Sequence, residues 1–281
     1  MANTDNFCAE IRSKDAVDKH AEVDVRAYDK TMGSDLSRVQ AALESIRHRG
    51  YIGKQMTALD IGSGTGAFTL AFAKEYASVS ALDISHGMQN IIREKAELQG
   101  SANIEYIFKN WHHLNLQEQG MDSKYDMVLS SLNTRGIYNF ETLVKMNQAS
   151  KGGCCLVSFT GRGKKNHSAA LNSLIIGRQL TSAGGNDIIM PFNLIYHMGG
   201  KPDMAYSSIA WRREFTAEDA LRAITHQYWR FAEITPELEV SIKDYISTQL
   251  DENGMYVETA NVPVAIMVWD AQPVKDYIAN E

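Results

Sequence analysis

Met56-Thr57-Ala58-Leu59-Asp60-Ile61-Gly62-Ser63-Gly64-Thr65-Gly66-Ala67-Phe68-Thr69-Leu70-Ala71-Phe72-Ala73, with its sequel Ala81-Leu82-Asp83-Ile84-Ser85, is the stretch whose reading decides the fold. A short apolar run ending in Asp60 has the pattern of a buried parallel strand, Gly62, Gly64 and Gly66 that of a tight turn, and Ala67 to Tyr76 that of the helix after it. Glycines at these spacings take away the side chains that would hold a ligand off the backbone, and they permit the positive φ such a turn often needs. A ligand can then lie on bare main chain. Asp83 closes a second apolar run, and in open parallel sheets ligand-binding side chains lie outside the carboxyl ends of the strands.

Two cofactor classes use this arrangement. Gly62, Gly64 and Ala67 satisfy the dinucleotide pattern G-x-G-x-x-G/A, which keeps a nicotinamide or flavin oxidoreductase open. Against it, Asp60 sets a carboxylate at the loop, where a pyrophosphate would meet like charge. S-adenosylmethionine carries an ammonium and a sulfonium and no phosphate, so the same carboxylate favours it. The two oxygens of Asp83 suit the two hydroxyls of a ribose.

Asp60-Ile61-Gly62-Ser63-Gly64-Thr65-Gly66 resembles the first motif of the class I S-adenosylmethionine-dependent methyltransferases, and Asp83-Ile84-Ser85-His86-Gly87-Met88 resembles their second. The resemblance extends through Asn110-Trp111, Tyr125 to Ser131, and Lys151-Gly152-Gly153 before the run Cys154 to Phe159, covering residues 56 to 160. It implies S-adenosylmethionine as cofactor, held by Asp60, Gly62, Ser63, Gly64, Gly66, Asp83, Ile84, Met88, Asn110, Trp111 and Ser130. The family often has Asp where this chain has Asn110. The amide oxygen of Asn can still accept from an adenine amino group.

The 281 residues allow one large domain or a domain with a substantial insertion. A formal net charge of −6 offers no basic field for a polyanion, which argues against a nucleic-acid partner. Three cysteines, with Cys154 and Cys155 adjacent in one strand, make a poor disulfide framework and point to the reducing cytoplasm. No apolar run approaches the roughly 18 residues of a membrane span, and the N-terminus alternates charges in place of a signal peptide.

Residues 1 to 50 read as a helical arm or lid. Its first part has few apolar anchors (Phe7, Ile11, Val17, Val23, Val25, Tyr28), and Leu36, Val39, Leu43 and Ile46 then keep helical spacing. Ser34 or Asp35 can cap that second helix and Gly50 can end it. In many small-molecule methyltransferases of this type the corresponding arm closes over the cofactor, and termini also commonly fray. Residues 51 to 160 form the cofactor-binding half. The expected elements are a helix over 86–99 closed by Gly100, strands over 104–108, 125–131 and 154–159, and a helix over 140–149 with Leu143 and Val144 inward. Their alternation requires a doubly wound parallel sheet of Rossmann-like type. Asn133 and Arg135 follow the fourth strand, facing the ligand rim.

Residues 161 to 281 complete the sheet within the same domain. A basic turn (Arg162, Lys164, Lys165) precedes a helix over 169–180 and a break at Gly184-Gly185. A helix over 192–198, a strand over 204–211 and a last strand over 262–269 follow, with Pro263 tolerable only at the strand's beginning. The family pairs its last two strands antiparallel. Thr216 with Asp219 and Thr235-Pro236 open two helices over 216–250, an insertion expected to build part of the acceptor pocket.

A sulfonium is an activated methyl donor, so transfer needs an acceptor held in line with the departing sulfur. A general base matters only for an acceptor protonated at neutral pH. His112, His113, His167 and His197 are the candidates, and adjacent histidines do not make a usual metal pair, so no metal is expected. The sequence lacks the Asn-Pro-Pro-Tyr type motif for amino groups on nucleobases and the Pro-Cys pair for pyrimidine carbons. Three scattered cysteines fit thiol-dependent arsenic methylation poorly. These absences favour a small-molecule acceptor. A non-catalytic module that binds the same cofactor stays open beside the oxidoreductase. The acceptor atom and the oligomeric state are not written in the sequence.

Overall fold

The computed structural model describes residues 25–32, 36–132, 139–160, 164–178, 188–229 and 231–280. The expectations for Phe7, Ile11, Val17 and Val23, for a cap at Ser34 or Asp35, and for Asn133, Arg135, Arg162 and Gly184-Gly185 lie outside the described residues. The elements in chain order are α1 (Val25–Met32), α2 (Ser37–His48), β1 (Thr57–Ile61), α3 (Ala67–Ala73), β2 (Ser78–Asp83), α4 (His86–Gln99), β3 (Ile104–Phe108), β4 (Tyr125–Ser131), α5 (Phe140–Ala149), β5 (Ser150–Phe159), β6 (Lys164–Lys165), α6 (Ser168–Ile176), α7 (Ile189–His197), β7 (Asp203–Phe215), α8 (Ala217–Tyr228), α9 (Pro236–Thr248), β8 (Tyr256–Asp270) and α10 (Ala271–Asn280). A 3-10 turn, Trp111–His113, follows β3.

The chain divides into two compact units, one of Met1–Thr160, Asn186–Ser207 and Val264–Glu281, the other of Gly161–Gly185 and Ser208–Pro263. The sequence reading had placed both stretches in one domain.

In the first unit the strand order is β3-β2-β1-β4-β5-β8. The pairings from β3 to β5 are parallel, and β5 runs antiparallel to β8 from Gly153↔Asp270 to Phe159↔Val264. This is the doubly wound, mostly parallel sheet with an antiparallel last strand that the sequence implied. Reversal of order at β1 makes a switch point, and the carboxyl ends of β1 and β2 open there. Leu59, Ile61, Leu82, Val128, Leu156, Met267 and Trp269 pack from the strands into one apolar core, with Leu143 and Met146 of α5 against them. The indole N–H of Trp269 is satisfied inside it, donating to Asn147 Oδ1 at 2.8 Å.

The second unit centres on Leu171 and Ile175 of α6, Ala220, Ile224 and Tyr228 of α8, and Ile242 and Ile246 of α9. Thr216 and Thr235 cap α8 and α9 through their side chains, as the sequence indicated. Two boundaries moved. The sequence reading took residues 161–165 as a turn, but Lys164–Lys165 pair with Ala260 and Asn261 of β8. That strand begins well before the apolar run that signalled it. Pro263, which cannot donate to a ladder, falls where β8 passes from β6 to β5, so its missing N–H breaks neither pairing.

Candidate functional site

At the carboxyl end of β1 the chain turns through Gly62 (φ 71°), Gly64 (φ 53°) and Gly66 (φ 87°) into α3. Gly62 N and Ser63 N both donate to Leu82 O, at 2.8 and 3.0 Å, which ties the loop to the end of β2. Two of the glycines answer different needs. A Cβ on Gly66 would stand 2.9 Å from Ile92 Cγ1, so helix α4 can approach the loop only because that side chain is missing. A Cβ on Gly64 would meet nothing within 4 Å among the described residues, so there the backbone faces open space beside them.

Asp83 ends β2 beside the loop. Its Oδ2 accepts from Gly64 N at 2.9 Å and its Oδ1 from Ser85 N at 2.8 Å. A carboxylate has about four lone-pair sites, so each oxygen keeps capacity for a further donor such as a ribose hydroxyl. Ser85 caps α4 by accepting from Met88 N, and the Met88 side chain is buried under that turn. Ile84 is half-buried between them. Ser63 is 7 % exposed, and its buried hydroxyl has no hydrogen-bond partner among the described residues. Orphaned buried hydroxyls are uncommon, and this one sits in the loop, as a site for a polar ligand requires.

Asp60 requires a correction. The sequence reading put its carboxylate at the mouth of the loop, but the residue is 2 % exposed and its Oδ2 accepts from Thr69 Oγ1 at 2.7 Å. Burial pushes its pKa up to about 7, against the opposing bonds from Thr69 and with a smaller push from Asp83. Asp83, at the end of β2, is half-buried rather than enclosed. Ser130 is also not on the rim. Its side chain is 0 % exposed, and its hydroxyl donates to Ile61 O at 3.0 Å, stapling β4 to β1.

Beyond β3, Asn110 caps the 3-10 turn, its Oδ1 accepting from His112 N at 2.9 Å. One acceptor site of that oxygen is thus used, and the second can still serve an adenine amino group. Trp111, expected on the rim, is 3 % exposed and belongs to the apolar core, with its indole N–H unpartnered among the described residues. The turn is held from below by Lys145 Nζ, which donates to the carbonyls of Trp111, His112 and Leu114 at 2.9 to 3.0 Å.

The histidines separate by position. His112 is half-buried on the turn that follows β3. His113 is exposed and lines a cleft of about 360 Å³ with Asn115, Asp122, Lys145 and Gln148, away from the glycine loop. His197 is overturned as a catalytic candidate. It ends α7 against Tyr277, and the chain just beyond it is held at Lys201 and Asp203 by Arg49, which also reaches Asp270 at the amino end of β5. That edge of the sheet is opposite the ligand end. In the second unit both ring nitrogens of His167 are engaged, by Tyr245 OH at 2.8 Å and Val257 O at 3.1 Å.

Three features escaped the sequence reading. Thr69 left a signal, since a lone hydroxyl in the buried run Ala67–Ala73 has to find a partner. Lys145 left none, because its partners lie far back in the chain. His86 stacks on Phe108 with ring centroids 3.5 Å apart, beside Asp83, whose strand partner Phe108 is. Helix α1 lies along α4 through the ion pairs Arg26–Glu94 and Asp29–Lys95. The arm's described helix thus rests on the helix that follows Asp83.

Residues 58–148 match the family model described as a methyltransferase domain. No curated protein matches the chain. Among solved structures, a Bacillus halodurans protein assigned as a methyltransferase aligns with 83 % of this chain and 99 % of its own at 13 % identity and a TM-score of 0.49. A SAM-dependent methyltransferase from Aquifex aeolicus aligns with 64 % of this chain and 88 % of its own at 15 % identity and a TM-score of 0.46. A geranyl diphosphate methyltransferase solved with GPP and sinefungin covers 83 % of this chain and 77 % of its own at 10 % identity and a TM-score of 0.45. At such scores these three add no argument of their own, and the assignment stands on the domain match.

Proposed function

We propose that residues 58–148, which match the methyltransferase-domain model, form a class I S-adenosylmethionine-dependent methyltransferase domain and that the protein methylates a small-molecule acceptor. The observation that carries the reading is the loop bare of side chains at Gly64 with the Asp83 carboxylate bonded to its amide. In this reading Gly62, Gly64 and Gly66 form the floor, the Ser63 hydroxyl takes a polar group of the amino-acid end, Asp83 takes the ribose hydroxyls, and Ile84, Met88 and Asn110 border the adenine. The cofactor, when bound, supplies a methyl group on a sulfonium. The protein's own work is to hold donor and acceptor in line and to exclude water.

An acceptor that is protonated at neutral pH also needs a base, and His112 is the histidine whose place beyond β3 suits that role. The net charge of −6 supports a small acceptor over a nucleic acid. Acceptor selection we assign to the chain outside residues 58–148. We place the protein in the cytoplasm, where the buried thiols of Cys154 and Cys155 stay reduced. Among the described residues no helix is long and apolar enough to cross a membrane.

Calorimetry tests the cofactor. S-adenosylhomocysteine should bind the wild type, Asp83→Ala and Gly64→Val should each abolish binding, and NAD should not bind. Normal affinity in both variants would refute the site. Transfer of label from methyl-labelled donor to components of a metabolite extract separates an enzyme from a module that only binds.

A further inference from the structure

We propose that Thr69 is a positioning residue which keeps the Asp60 carboxylate charged beneath the glycine loop, and that this pair sets the loop's preference for the positively charged donor over its uncharged product. The inference rests on the function proposed above and deepens it. S-adenosylmethionine differs from S-adenosylhomocysteine by the sulfonium charge, so only a charge that responds to sulfur can separate two otherwise similar nucleosides. Shape alone separates them poorly. A methyltransferase that holds its product as tightly as its donor is throttled by that product.

Asp60 is the last polar residue of β1 before the turn, and it is enclosed. Thr69 is itself 0 % exposed and supplies the hydroxyl at 2.7 Å, and its main-chain N–H donates to the same carboxylate. Both bonds favour the anion, while burial and the like charge of Asp83 favour the acid. The opposing effects leave Asp60 titrating near neutrality, at about 7, so a small change at Thr69 decides its charge. Among the described residues, α3, β2 and the rim end of β4 carry no cation to compensate. Helix α3 has no ionisable side chain from Ala67 to Ala73, the rim end of β4 presents Ser130 and Ser131, and β2 presents Asp83.

Three variants isolate the effect. Thr69→Val removes the hydroxyl at nearly constant volume, Thr69→Ser restores it, and Asp60→Asn removes the charge. The ratio of product to donor dissociation constants, measured by calorimetry from pH 6 to 9, should rise with pH in the wild type. In Thr69→Val its midpoint should move upward by about one pH unit, as expected for loss of one hydrogen bond to a charged group. Thr69→Ser should follow the wild type, and Asp60→Asn should give a low ratio independent of pH. Independently of any ligand, the carboxyl-carbon NMR titration of Asp60 should show the same upward displacement in Thr69→Val. A Thr69→Val titration superimposable on the wild type overturns the inference. So does a wild-type ratio flat in pH while both nucleosides bind, and that result leaves the function proposed above intact. If the wild type binds neither nucleoside, the function reading falls and takes this inference with it.

Discussion

The Asp83 carboxylate and the Gly64 amide are 2.9 Å apart, so the acid of the second strand grips the loop of the first before any ligand contributes. One side chain thereby orders the loop and presents its remaining lone pairs outward. Asp83→Asn keeps the shape but turns half of the acceptor group into a donor. S-adenosylhomocysteine affinity should fall at least about a hundredfold, the scale for losing charge-assisted bonds to two hydroxyls. Isothermal calorimetry reads it, and an affinity within a few-fold of wild type would remove Asp83 from the site.

The two glycines should fail in different ways. Gly66→Ala sets a Cβ 2.9 Å from Ile92 at a φ of +87°, so its cost falls on the packing of α4 and on backbone strain of about 1–2 kcal/mol. The melting temperature should drop. Gly64→Val at φ +53° bears similar strain but its Cβ meets no atom of the described residues within 4 Å, and its side chain stands in the space assigned to the ligand. Binding should vanish while the fold persists. Thermal melts paired with calorimetry separate the two, and equal effects of both variants on both readouts would contradict the geometry.

The first half of the chain was legible because its information is local. Apolar runs of strand length, glycine turns and Gly100 as a helix end each speak within a few residues, and β3, β4 and α5 fall at the bounds their patterns indicate. What was not legible depends on partners distant in sequence. Asp60 and Ser130 look like rim residues in a one-dimensional motif, yet Thr69 and Ile61 O draw their polar groups inward. His197 reads only as a residue of a helix until Tyr277, and the bonds of Arg49 to Lys201 and Asp203 just beyond it, place it at the wrong end of the sheet. The early start of β8 is hidden because its first residues pair with the two-residue strand β6, whose lysines carry no strand signal.

Asn147 and Trp269 offer a test of the core. The indole N–H donates to Asn147 Oδ1 at 2.8 Å, and Asn147 Nδ2 donates to Leu143 O at the same distance, both groups buried. Asn147→Leu leaves the indole donor stranded, at a cost of about 1–3 kcal/mol. Trp269→Phe alone costs packing volume, and the double variant should lose less than the sum of the singles, because the orphaned donor is gone. Urea unfolding of the four proteins measures the coupling, and strict additivity would deny it.

Asp60 gives the protein a pH dependence of opposite sign to that of a salt-bridged acid. Its folded value is raised from 3.8 to about 7, so between those limits the folded state holds a proton that the unfolded state has released. The unfolded chain then binds fewer protons, and stability contributed by this residue falls as pH rises from 4 toward 7. Above 7 the penalty is complete, on the order of 4 kcal/mol for a shift of this size. Asp60→Asn keeps the Thr69 bond, since an amide oxygen also accepts, and carries no charge to bury. Chemical denaturation should therefore find the variant more stable than wild type at pH 8 and about equal to it at pH 4, while losing the donor preference assigned to that charge. An Asn variant less stable than wild type at pH 8 would show that the buried carboxylate is held by bonds strong enough to repay its desolvation.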